Sequence, residues 1–209
     1  LDDLKNLKEK GVISLIKSRW DGLKLLRKNI GDKNIGYKCH GGYELFFDNQ
    51  KIIFDDCYEK IEYLNKLLNP IFKKNVFSII ETPYNFKNIL KKCIYNPFEA
   101  QLDVGVMMKN LISNTESMGG KIITGITVKK VYENGKVKIY DDFIINAKKV
   151  IITTNGFSKK LIDVDLNPAR AQVLITKNIP NLKIKGVFHI DRGYYYFRNV
   201  DNRILLGGA

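Results

Sequence analysis

The run GYYYFRNVDNRILLGGA at residues 193–209 narrows the possible folds more than any other stretch. Two strand-like segments, 194–198 and 204–206, flank a polar turn rich in Asn and Asp, the pattern of an antiparallel hairpin. Further strand-like runs occupy 173–176 and 187–190, with no helical spacing anywhere in the last third. The spacing therefore predicts an antiparallel sheet there. On a strand, side chains alternate, so Tyr194, Tyr196 and Arg198 should share one face and Tyr195 and Phe197 the other. The second pair is the more apolar and is expected in the core. The first set offers phenol hydroxyls and a guanidinium fork, donors that suit a carboxylate. The plainer alternative is an exposed face on which Arg198 pairs with a nearby acid such as Asp201.

Upstream the texture changes. Residues 2–30 place Leu4, Leu7, Val12, Leu15, Ile16, Leu23, Leu26 and Ile30 at three-to-four spacing, an amphipathic helix with an expected break near Gly11 or Gly22. A strand broken by Gly41-Gly42 is expected over 37–47. A helix capped by Asp55 should follow, running to the Asn69-Pro70 break, and then a short strand over 76–80. Residues 101–118 read as a helix stopped by Gly119-Gly120, and 121–132 as a strand. Asn134-Gly135 signals a hairpin to a strand over 137–140, and Asp141-Asp142 separates that from a strand over 143–146. Val150-Ile151-Ile152 reads as a buried strand ending in the polar turn Thr154-Asn155-Gly156. The fold class is thus α+β, mixed α and β.

Composition removes several function classes. With 209 residues and 44% apolar content the chain can bury a real core. No run of about 18 apolar residues is present, so no transmembrane segment is expected. Three widely spaced cysteines suit reduced thiols and a cytoplasmic location, and neither they nor the two histidines have metal-site spacing. His40 and His189 read as surface or core-edge residues. The net charge of +13 invites a nucleic-acid or anionic-surface reading. The lysine pairs, however, are dispersed along the whole chain, with no aromatic-interleaved motif beside them, so no nucleic-acid partner is expected.

Five segments, in order, carry a likeness to a known family. They are GGYELF at 41–46, QLDVGVMMKNLISNTESMGGKIITGITVKKV at 101–131, VIITTNGFS at 150–158, PARAQVLIT at 168–176 and YYYFRNVDNRILLGG at 194–208. Together they resemble the FAD-dependent oxidoreductases of the D-amino acid oxidase-like family, which includes glycine and sarcosine oxidases. The resemblance implies FAD as cofactor and a small amine or amino acid as substrate, oxidised at its C–N bond. It implies a substrate domain over 1–98, a middle segment of the FAD domain over 99–160, and substrate domain again over 161–209.

The same likeness implies that the Val128 backbone contacts adenine and that Thr154, Asn155 and Gly156 approach ribose or phosphate. It assigns Tyr196 first, then Arg198 and Tyr194, to the substrate; it names no catalytic base, and that residue stays unknown. Read without the likeness, Asn155-Gly156 is an ordinary turn. No GxGxxG stands between a strand and a helix, so the glycine cradle for pyrophosphate is missing. Leu1 opens on a helical pattern without Met, and the chain stops on a hydrophobic strand. The expectation is an interior fragment that is inactive alone. Unpartnered apolar surface makes a homo-oligomer possible; a basic binding domain or a non-catalytic structural domain is the alternative.

Overall fold

The structure is a computed structural model that describes residues 2–140 and 143–208. Its contacts divide the chain into two compact units, residues 1–114 with 172–209, and residues 115–171.

In the first unit, α1 (Asp2–Ile30) runs through both Gly11 and Gly22; its departure from helical geometry falls at Lys8 instead (φ 55°, ψ 174°). Val12 and Ile30 are buried, as the apolar spacing requires. The strand β1 (Gly42–Leu45) begins only at the second glycine of the pair, and residue Lys38 makes an isolated bridge to Gln101. α2 (Lys51–Phe72) starts earlier than the expected Asp55 cap. The cause is packing: Phe54 is buried edge-on against Phe46, with ring centroids 5.3 Å apart, so the first helical turn must precede it. Asp55 sits inside the helix, paired with Lys51 one turn back. The helix also passes Asn69-Pro70 and ends at Lys73, which adopts a left-handed cap. Pro70 is tolerated because it removes one hydrogen bond in the last turn only.

β2 (Ser78–Glu81), β3 (Lys92–Asn96) and α3 (Val104–Ser117) follow. Asp103 Oδ1 accepts the Val106 N–H at 2.9 Å, satisfying a donor of the first turn of α3. At the other end Gly119 and Gly120 return N–H bonds to Glu116 and Thr115, which is the stop read from the glycine pair.

The second unit contains the hairpin β4 (Lys130–Val131) and β5 (Lys136–Lys138), turned at Asn134-Gly135 as expected, and β6 (Ile144–Asn146) beside it. The Asp141-Asp142 separator lies outside the described residues. Two expectations fail here. Residues 121–129 form no strand, and Val150–Ile152 is neither a strand nor buried, Ile151 being 84% exposed. A parallel-type strand is buried only with neighbours on both edges, and among the described residues none pairs with it.

The last third supplies β7 (Val173–Ile175), β8 (Val187–Ile190), β9 (Tyr195–Val200) and β10 (Arg203–Gly208). These complete a seven-stranded sheet of order β2-β3-β1-β8-β9-β10-β7, in which only β1–β8 is parallel. One face of this sheet carries the core. Phe188 is fully buried, stacked between Tyr43 at 4.8 Å and Phe197 at 4.6 Å, with Phe86 edge-on to both phenylalanines. Burying one such ring is worth about 1.5–3 kcal/mol, and each aromatic contact adds about 0.5–1.5. Phe197 thus holds the core position assigned to it. Tyr195 does not: it opens β9 at the end of the strand and is 39% exposed, its ring edge-on to that of Tyr194.

Candidate functional site

The other face of the sheet carries a polar row. Register places Glu44 of β1 opposite His189 of β8, His189 opposite Tyr196 of β9, and Tyr196 opposite Gly207 of β10. The glycine is required by close approach. The hydroxyl end of the Tyr196 ring packs on Gly207, where any Cβ would overlap it. Gly42 of β1 is covered by the side chain of Glu99.

Glu99 and Gln101 come from the segment between β3 and α3. Glu99 Oε1 lies 2.6 Å from His189 Nε2, both side chains half-buried, and Gln101 Oε1 accepts from Arg198 Nη1 at 3.3 Å. The Glu99 carboxylate holds the His189 imidazole above its usual titration range, against the opposing effect of burial. Burial pushes the Glu44 carboxyl above the usual range, and His189 partly offsets it. Glu44 also lines a cavity of about 600 Å³ beneath α2, with Ile53, Cys57, Ile61, Leu64 and Ile94 on its apolar walls and Asp56, Asp191 and Arg192 around it. Cys93 is fully buried, its thiol pushed up to about 11 by burial, which makes it an inert core residue.

Of the substrate residues read from the sequence, Tyr196 and Arg198 share this face and are half-buried. Arg198 does not pair with Asp201, which lies near Lys38 at 3.6 Å. Tyr194 does not join them: it precedes β9, its N–H bonds the Asp191 carbonyl in a turn, and it is 54% exposed. Sequence reading missed the partners Glu99 and Gln101, which are 90 and 97 residues from His189 and Arg198 and carry no local signal.

Val128, Thr154, Asn155 and Gly156 lie in the unit 115–171. Val128 is exposed and makes no hydrogen bond among the described residues. Asn155 adopts a left-handed conformation (φ 46°) at the start of a six-residue 3-10 helix, and Thr154 Oγ1 lies 3.1 Å from Ser158 Oγ. Open backbone at Val128 and a small exposed turn at Thr154–Gly156 fit contact with the adenosine half of a dinucleotide. The pyrophosphate has no corresponding cradle, because no glycine-spaced strand-to-helix turn is present in the sequence. Among the described residues there is no metal-ligating cluster, and no helix is long and apolar enough to cross a membrane.

The fold is a mixed helix–sheet class built on a mostly antiparallel sheet. The chain belongs to the FAD dependent oxidoreductase (DAO) family, which matches residues 7–209, and members of that family use FAD. Solved structures share the fold at low identity. L-proline dehydrogenase from P. horikoshii is 19% identical with a TM-score of 0.67, over 88% of this chain and 52% of its own. Glycine oxidase from Geobacillus kaustophilus is 16% identical with a TM-score of 0.65, over 92% and 55%. Iminodiacetate oxidase from Chelativorans sp. BNC1 is 16% identical with a TM-score of 0.62, over 94% and 55%. The chain therefore spans about half the length of these proteins. No curated protein sequence matches it.

Proposed function

We propose that this chain forms the substrate-facing part of an FAD-dependent oxidoreductase acting on the C–N bond of an amino acid or related amine. The observation that carries the proposal is the Tyr196–Arg198 face of β9, a guanidinium and a phenol held side by side on a rigid sheet. When bound, FAD supplies a hydride acceptor for the carbon bearing nitrogen, and the imine so formed is hydrolysed to an oxo acid and ammonia or an amine.

The chain's own residues bind and orient. Arg198 spends one Nη1 donor on Gln101 and keeps further donors for a carboxylate, and the Tyr196 hydroxyl adds a directed bond. Val128, Thr154, Asn155 and Gly156 would hold the adenosine side of the cofactor, within a middle segment of the FAD domain over 99–160, with 1–98 and 161–209 as substrate domain. Support comes from the family match and from the folds of glycine oxidase and L-proline dehydrogenase.

A second reading is favoured by exposure: Tyr194 and Tyr195 are the open rings at the end of β9, whereas Tyr196 is already packed on Gly207. On that reading the substrate meets the Tyr194–Tyr195 end of the strand. Kinetics of the FAD-loaded full-length protein with amino-acid substrates separate the two. Tyr196→Phe and Arg198→Met raising KM at unchanged thermal stability supports the first; wild-type kinetics in both, with loss of turnover in Tyr195→Ala alone, refutes it in favour of the second.

A further inference from the structure

We propose that the Glu99–His189 ion pair is a pH-sensitive clip that fastens the segment 97–103, and with it the start of α3, to the seven-stranded sheet. The inference concerns the first unit alone and does not depend on what the protein oxidises.

The segment is held from two sides by different chemistry. Toward 35–41 the main-chain bonds are Gly41 N–H to Glu99 O at 3.1 Å, Lys38 and Gln101 exchanging both bonds at 2.9 Å, and Asp103 N–H to Ile35 O at 2.9 Å, joined by the Cys39 thiol on the Pro97 and Glu99 carbonyls at 3.3 and 3.6 Å. The main-chain bonds do not titrate. Toward the sheet the fastening is by side chains, Glu99 on His189 and Gln101 on Arg198. A guanidinium and an amide keep their state across the ordinary pH range. His189 is the member of this set that changes charge near neutrality.

The pair is built into the fold. Glu99 reaches His189 by lying across Gly42, and the missing Cβ there is what leaves room for its carboxylate. Of the groups around His189, Glu99 from the crossing segment and Glu44 from β1 favour its charged form and burial opposes it; Tyr196 of β9 stands opposite it, Asp191 and Arg192 follow in the turn after β8, and Asp56 of α2 lines the cavity beside Glu44. In the charged form Nε2–H donates to Glu99 in a charge-assisted bond. Deprotonation leaves a half-buried carboxylate against a neutral ring, and the segment loses this fastening while keeping its main-chain bonds and the Gln101–Arg198 bond. Because the histidine is held above its ordinary 6.5 by Glu99, the clip is fully closed below that value and opens as pH rises through the folded-state midpoint.

The test pairs an NMR titration of His189 with amide hydrogen exchange at Gly41 and Gln101, corrected for intrinsic exchange chemistry, in the full chain. The wild-type midpoint should lie above 6.5, and protection of both amides should fall several-fold as pH passes through it. Glu99→Gln should move the midpoint back toward 6.5 and flatten the protection profile; His189→Gln, which cannot titrate, should flatten it too. A wild-type midpoint at or below 6.5 overturns the proposal without any variant. So does wild-type protection that is flat across pH, or an inflection that survives Glu99→Gln.

Discussion

Asn65 on α2 offers the sharpest test of how the first unit is assembled. It is buried, and its side chain accepts from the N–H groups of Val76 and Phe77 at 2.8 and 2.9 Å while donating to the Phe77 carbonyl at 2.8 Å. One amide thus satisfies three main-chain groups and ties α2 to the entry of β2. Asn65→Ala removes all three bonds and strands the buried Val76 N–H and the half-buried Phe77 N–H. At about 0.5–1.5 kcal/mol per bond, the loss should be about 1.5–4.5 kcal/mol. Trp20 is the single tryptophan, and its ring lies 5.0 Å from Phe72 at the end of α2, so its fluorescence reports this region directly. With a urea slope of about 2 kcal/mol per molar, the Trp20 midpoint should fall by about 0.8–2.2 M. A shift under about 0.3 M would refute the reasoning, because the stranded donors would then be reaching water that the burial of Asn65 denies them. Asn65→Asp, which keeps the acceptors and loses the donor, should lie between the two proteins at neutral pH only if its charge stays bonded to both N–H groups.

Three further outcomes follow from particular features. Titrating the 209-residue chain with FAD should show no saturable binding in the micromolar range by flavin fluorescence, since the glycine cradle for pyrophosphate is not among its residues; saturation there would contradict this. Raising pH above about 6.5 should lower the urea midpoint, because Glu99 holds His189 in the folded state above its unfolded value and the stability of that pair is lost as pH climbs through the folded-state midpoint, whereas the cost of ionising buried Glu44 sets in from about 4.5 upward; a midpoint that rises above 6.5 would reverse the sign. The exposed Phe143, Ile144, Ile145 and Ile151 of the small unit, and the exposed edge strand β7, should drive self-association at high concentration, and sedimentation as a clean monomer would count against it.

What could be read from the sequence was set by local chemistry. The Asn134-Gly135 turn, the Gly119-Gly120 stop and the strands of the last third all appear, because turn dihedrals and alternation are decided within a few residues. Elements needing a distant partner were misread. Val150–Ile152 has strand composition but no neighbouring strand, and Asp55 looked like a cap until Phe54 was seen to need Phe46. The candidate site divides in the same manner. Alternation along β9 separated Tyr196 and Arg198 from Phe197, whereas the exposure of Tyr195 reflects where the sheet ends. Glu99 and Gln101 were invisible because their partners arrive from strands 90 and 97 residues later.

Anaerobic mixing of the FAD-loaded full-length protein, rather than of these 209 residues alone, with a panel of amino and imino acids, followed by the flavin's visible absorbance, tests the central claim most directly. The account predicts bleaching by at least one carboxylate-bearing amine, with Arg198→Met needing about tenfold or more substrate for the same rate, equivalent to about 1.4 kcal/mol of lost binding. Flavin that stays oxidised with every amine, or bleaching that Arg198→Met leaves unchanged, would contradict it.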